Sequence, residues 1–154
     1  DVIDTNLAKL IKKNHPEAAF SNQMIIDIKE KFSTVRDTAD PIVVTWPVNG
    51  KPTEIDITAE MKEACFSIVP PIVDALGKLV ASFDPEFQSV LRSNVLLGGG
   101  GSQIRGLAKA ISEYMDEHLG GGQVRQVEEP IFGGANGALL ISKDMPPEFW
   151  EQLS

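Results

Sequence analysis

Apolar positions recur with helical spacing over the first part of the chain and with a period of two further on. Leu7, Leu10 and Ile11 share one face of a predicted helix that Asp4 caps. It ends near Asn14, because Pro16 pushes His15 out of helical geometry. Behind a second cap at Ser21, Ile25, Ile28, Phe32 and Val35 recur at i, i+3, i+7 and i+10, predicting another amphipathic helix. Residues 42–46 then form a β-branched and aromatic run, Asn49-Gly50 is a hairpin turn, and Ile55-Asp56-Ile57 alternates. Pro47 and Pro52 beside the turn make this an exposed edge hairpin.

A second region opens at a Thr58 cap. Met61, Ala64, Cys65 and Ile68 form a helical stripe that resumes from Ile72 through Leu76, Leu79 and Val80, with Pro70-Pro71 expected to kink or split it. Asp84-Pro85 begins a short helix ending before Asn94. A buried strand at 95–97, a turn at 98–101 and a helix over 104–118 follow. Glycines 120–122 stop that helix, 124–127 reads as a strand, and 133–142 as a helix of small residues before a Pro146-Pro147 tail holding Phe149 and Trp150. No repeat emerges. The organisation is two helices with a hairpin, then a βα-type layer, with the boundary near Thr58.

Composition narrows the function classes. A chain of 154 residues that is 42% hydrophobic and 23% charged can build a core. Its net charge of −8 opposes nucleic acid and anionic membrane surfaces as partners. The longest apolar stretch, near residues 68–73, reads as too short to span a bilayer. One cysteine, Cys65 among Ala64, Phe66 and Ile68, excludes an internal disulfide and reads as an inert core thiol. His15 and His118 lie far apart without other ligands at metal spacing. A start at Asp1 directly into helical patterning reads as that of a fragment.

Two stretches carry candidate chemistry. The glycine run of residues 98–101 follows an apolar strand and leads through Arg105-Gly106-Leu107 into an amphipathic helix, a setting where a ligand can approach backbone that any Cβ would block. It is not a P-loop, since no Lys-Ser/Thr follows, and it does not fit G-x-G-x-x-G. A tight turn in a βα unit and a nucleotide contact both remain open. The second stretch, Asp27-Ile28-Lys29-Glu30-Lys31-Phe32, reads from its residues alone as a solvated helix face with Asp27 and Lys31 paired at i, i+4.

Together these stretches resemble a known family. Residues 27–32 are similar to the segment of actins in which an adjacent Lys-Glu pair flanks the adenosine. Residues 94–107, NVLLGGGGSQIRGL, resemble the adenosine motif of the actin, sugar-kinase and heat-shock-70 superfamily. The two stand in the order that fold requires. The chain is identified as a member of the bacterial actin-like ATPases, C-terminal half only. Residues 3–17, with Asn14-His15-Pro16-Glu17, and the ending Pro146-Pro147-Glu148-Phe149-Trp150-Glu151-Gln152-Leu153 resemble the magnetosome-filament branch.

The resemblance implies an α/β fold, the C-terminal half of the actin-like (ribonuclease H-like) fold. Residues 1–57 would be subdomain IIB, helices plus hairpin, and residues 58–154 part of subdomain IIA. It implies ATP as ligand. Lys29 would lie against the adenine, its apolar stem covering the base, and Glu30 would accept from the ribose hydroxyls. Gly99 and Gly100 would admit the nucleotide to the backbone, and Ser102, Gln103 and Ile104 would contact it from the helix start. Both phosphate loops and the acidic residues that place Mg2+ lie upstream in the family. The intact parent is therefore expected to be a Mg2+-dependent ATPase, and this chain alone to hold no catalytic or metal-binding residue. Further expectations are a head-to-tail homopolymer filament, magnetosome-associated partner proteins, no membrane insertion, and a place in the cytoplasmic cytoskeleton. Two alternatives stand beside it: a sugar- or acid-kinase fragment of the same superfamily, and a nucleotide-independent interaction domain.

Overall fold

The computed structural model of the chain describes residues 1–150; Glu151, Gln152 and Leu153 of the tail lie outside them. Helix α1 (Val2–Asn14) packs Ile3, Leu7 and Ile11 inward. Its cap is Asp1, whose Oδ1 accepts from the Ile3 amide at 2.7 Å, and not Asp4, which falls in the first turn. The helix ends where expected, with His15 at φ −129° before Pro16. Helix α2 (Asn22–Phe32) starts at Ser21, whose hydroxyl accepts from the Met24 amide. It buries Ile25 and stops at Phe32. Val35 lies past the end, because its amide donates to the Arg105 carbonyl instead of continuing the helix.

The hairpin forms as β1 (Val43–Val48) and β2 (Lys51–Asp56) around Asn49 at φ 51° and Gly50 at φ 78°, the left-handed pair that such a turn requires. It is two-stranded, with Pro47 opposite Pro52, and its inward Val44, Trp46 and Ile55 join the core. Trp46 packs on Phe20, ring centres 5.1 Å apart. Thr58 does not cap the next helix, α3 (Thr58–Phe66). Its hydroxyl accepts from the Ile42 amide and donates to Asp56, whose Oδ1 also accepts from the Thr58 amide at 2.9 Å. These bonds hold the Asp56 carboxyl below the usual carboxylate range. Tertiary demand from the strand has taken the hydroxyl that a cap would have used.

The proline pair splits the helical stripe as predicted: α4 (Val69–Ala81) restarts after Ser67 and Ile68, with the prolines in its first turn. Taken as one run, Thr58–Ala81 is long and apolar enough by composition to cross a membrane, which reading only its most apolar patch overlooks. Met61, Ala64, Cys65, Val69 and Val73 of this run sit in the core. Cys65 lies 3.8 Å from the Met61 sulfur, and burial pushes its thiol up. Then come α5 (Pro85–Arg92), β3 (Val95–Leu97), a 3-10 turn (Gly100–Gln103), α6 (Leu107–Leu119), β4 (Val124–Gln126), α7 (Gly133–Asp144) and α8 (Pro147–Trp150).

Among the described residues strand β3 pairs in parallel with β4 alone, and Leu96 is 64% exposed, so the strand is not buried as its apolar run suggested. A parallel pair normally lies inside a layer covered on both faces, and the later helix α7 buries none of its residues, leaving Leu139, Leu140 and Ile141 exposed. The main core instead joins the two halves continuously, from Ile3 and Leu7 through Met61 and Val73 to Ile111, Met115 and Val124. Helix α1 lies against α3 and α4 against α6, so the elements before and after Thr58 share one interior.

Candidate functional site

Helix α2 delivers Lys29 and Glu30 to its last turn. Lys29 is four-fifths buried, and its ammonium lies 2.9 Å from both Asp1 Oδ2 and Asp4 Oδ1 in the first turn of α1. Glu30 faces solvent and takes no hydrogen bond or ion pair among the described residues. The Asp27–Lys31 pair does not form: Asp27 accepts from Gln23 at 2.7 Å, and the Lys31 ammonium stands 5.1 Å from the centre of the Phe32 ring. Each side chain has found a nearer partner, which an i, i+4 contact worth only about 0.3–0.5 kcal/mol does not outweigh.

The glycine run makes a sharp turn out of β3. Gly99 sits at φ 84°, ψ 170°, a conformation essentially reserved for glycine, and its amide donates to the Pro130 carbonyl. Gly100 and Gly101 differ. Neither has a positive φ, and a Cβ on either would meet no atom of the chain within 4 Å. Local folding therefore does not require glycine at these two positions.

Ser102, Gln103 and Ile104 do not stand at the start of α6. They occupy the 3-10 turn and its end, and α6 begins at Leu107 behind Gly106 at φ 83°. The Ser102 hydroxyl is buried and donates to the Gly99 carbonyl at 2.7 Å, tying the turn to itself. Ile104 packs into the core, and Gln103 is exposed.

Main-chain bonds bring the two stretches together. The Ser33 amide donates to the Lys29 carbonyl, the Arg105 amide to the Ser33 carbonyl at 3.2 Å, and the Val35 amide back to the Arg105 carbonyl at 3.0 Å. Buried Thr34 forms the corresponding bridge with Arg105. The Arg105 guanidinium donates to the Lys31 carbonyl, placing a cation at the C-terminus of α2, where the helix dipole favours one. Lys29 and Glu30 thus lie one turn before the junction, and the glycines lie just on its other side.

On the far flank of the glycines, an open cleft of ≈ 810 Å³ is walled by Gly98 and Gly99, the loop from Gln126 to Pro130, and Gly133-Gly134. A pair of glycines opening a small-residue helix is the one sequence signal for this second wall. Asp1, Asp4 and the loop 33–37 flank the same junction, and no local pattern marks that role. Within the loop, the Arg36 stem covers Gly106, and Lys62 pairs with Asp37, holding that carboxyl below its usual range. Among the described residues no group of three or more His, Cys, Asp or Glu side chains is placed to hold a metal ion.

Comparison with known proteins identifies the family. The family model for MreB/Mbl protein matches residues 1–146. The actin-like protein MamK of Paramagnetospirillum magneticum is 34% identical over 151 residues, which are 98% of this chain and 43% of that protein. Among solved structures, the MamK double helical filament superposes with a TM-score of 0.85 at 33% identity, covering 94% of this chain and 44% of that one. A non-polymerising A278D mutant of MamK bound to AMPPNP superposes at 0.84 and 33% identity, over 92% of this chain and 43% of the other. The chain therefore spans less than half the length of the relatives it matches. Matched by the family model over residues 1–146 and by MamK over 98% of its length, the chain belongs to the MreB/Mbl family of actin-like proteins.

Proposed function

We propose that this chain is the adenosine-binding portion of an ATP-dependent, filament-forming actin-like protein, with residues 1–57 as subdomain IIB and residues 58–154 as part of subdomain IIA. The observation that carries the reading is the pair Gly100 and Gly101. They are glycine where neither the backbone angles nor any neighbouring atom of the chain asks for it, beside a positive-φ glycine and next to the Lys29–Glu30 turn. A nucleotide lying against the bare backbone accounts for that choice.

In this reading the Glu30 carboxylate, unengaged within the described chain, accepts from the ribose hydroxyls, and the Lys29 stem lies along the base. Gly99 and Gly100 form the opposing wall, with exposed Gln103 at its end. Ser102 and Ile104 shape the turn. Bound ATP with Mg2+ would supply the phosphoryl chemistry, and the groups that act on its γ-phosphate belong to the upstream part of the family's fold. The filament is supported by the family and by the MamK filament, 33% identical. A cytoplasmic, magnetosome-organising role rests on the resemblance of residues 3–17 and of the tail.

Two substitutions in the full-length protein test the site. Glu30→Ala should weaken binding of a fluorescent ATP analogue by about 1–3 kcal/mol, the loss expected for a charge-assisted hydrogen bond. Gly100→Val should abolish measurable binding, whereas Gly100→Ala should leave urea stability almost unchanged, because a Cβ there meets no non-neighbouring atom of the chain within 4 Å. Undiminished affinity in both Glu30→Ala and Gly100→Val would return the segment to an ordinary helix face and a plain turn.

A further inference from the structure

Lys29 reaches from α2 across to α1, and what it finds there is a built clamp. Asp1 uses Oδ1 to cap α1 through the Ile3 amide and Oδ2 to accept from the Lys29 ammonium at 2.9 Å. Asp4, in the first turn that Asp1 caps, brings its Oδ1 within 2.9 Å of the ammonium as an ion pair, outside hydrogen-bond geometry. Lys29 and Asp4 are 17% and 18% exposed, so this half of the clamp is largely out of water, where a charge pair is less screened than at the surface. Two carboxylates face one lysine ammonium, with the Asp1 α-amino group 3.4 Å from Asp4 Oδ2, and the positive end of the α1 dipole favours the negative charge there.

We infer that Asp4 and Asp1 are positioning residues of the nucleotide site, fixing the Lys29 side chain so that its stem, and not its charge, is presented to the ligand. The inference rests on the adenosine-site reading given above and deepens it. An ammonium held by two carboxylates has no free charge to offer a phosphate. Lys29 therefore recognises the apolar face of a base, and its contribution is independent of the number of phosphates the ligand carries. An unclamped lysine would sample many rotamers and lose part of that contact to entropy.

The test is a double-mutant cycle in the full-length protein, read as dissociation constants of fluorescent ATP and fluorescent ADP. The variants are Lys29→Ala, the pair Asp1→Asn with Asp4→Asn, and the combination. Asparagine caps a helix as well as aspartate does, so the pair removes charge while keeping the α1 start; circular dichroism and urea unfolding check this. Lys29→Ala is expected to weaken both nucleotides by the same factor. The asparagine pair is expected to weaken them roughly three- to tenfold in the presence of Lys29 and less than about twofold in its absence, as coupled residues do. If Lys29→Ala weakens binding but the asparagine pair does not, or the pair's loss persists without Lys29, the positioning role is wrong while the site stands. A larger loss for ATP than for ADP in Lys29→Ala overturns the claim that its charge is engaged. Wild-type affinity in Lys29→Ala removes both this inference and the base contact.

Discussion

Replacing Gly106 by alanine probes the junction that joins the two halves of the site. Gly106 sits at φ 83°, ψ 1°, directly after Arg105 has exchanged main-chain bonds with Ser33 and Val35. An L-residue in that left-handed conformation costs about 1–2 kcal/mol. The new Cβ would also fall 2.1 Å from Arg36 Cγ and 2.4 Å from Cδ. These are stem atoms, so the side chain must rotate away from the helix start. Leaving a preferred rotamer costs about 0.5–1.5 kcal/mol. Gly106→Ala should therefore lose roughly 1.5–3.5 kcal/mol in urea unfolding, with an unchanged slope against denaturant. Arg36→Ala deletes both clashing atoms and leaves only Cβ, 3.5 Å away. In that background the same glycine change should cost about 1–2 kcal/mol, the backbone part alone. A Gly106→Ala protein within about 0.5 kcal/mol of wild type, the range of an ordinary surface change, would refute the left-handed requirement. An equal cost with and without the Arg36 side chain would refute the steric part.

Two further outcomes follow from titratable groups. Asp56 is held below its ordinary value of 3.8 by its two bonds from Thr58, so the folded chain binds that proton less readily than the unfolded one. Its stabilising contribution is full above 3.8 and lost as pH falls through the lower folded value. The Thr58 amide shift should therefore titrate with a midpoint below 3.8, and a midpoint at or above that value would contradict the two Thr58 bonds to Asp56. Cys65 is wholly buried with its thiol pushed up, so it should resist iodoacetamide at pH 8 until denaturant unfolds the chain; rapid labelling of folded protein would contradict its placement.

Locally encoded features were readable from the residues. The Ser21 cap, the Asn49-Gly50 turn, the break at His15-Pro16 and the left-handed stop at Gly120 each depend on a few neighbours in sequence, and each stands where its signal lies. The failures share the opposite cause. Asp4 and Thr58 look like caps, but one is drawn to Lys29 and the other to the Ile42 amide, partners no local pattern reveals. Val95-Leu96-Leu97 reads as buried because an apolar strand has the same letters whether or not this chain covers it. Helix α6 starts at Leu107 and not at Ile104, because Ile104 continues the helical period while Gly106 interrupts the backbone.

The candidate site divides in the same way. Its glycine run and the Lys-Glu pair were legible as residue types in a setting. That the pair meets the run through Ser33 and Arg105 is a tertiary fact, and so is the capture of the Lys29 charge by α1. The Ser102 hydroxyl donates to the Gly99 carbonyl, a bond within the turn that the residue order does not reveal. Sequence proximity to a ligand loop does not reveal which way a short side chain turns.

The most direct test of the central claim is an amide-resolved NMR titration of the isotope-labelled full-length protein with AMPPNP. The account predicts that, within this segment, the largest shifts fall at Lys29, Glu30 and residues 99–103, with the linking residues Ser33 and Arg105 responding next. Perturbations that leave both Lys29–Glu30 and the glycine turn unmoved while AMPPNP binds would contradict it, and would place the adenosine elsewhere in the protein.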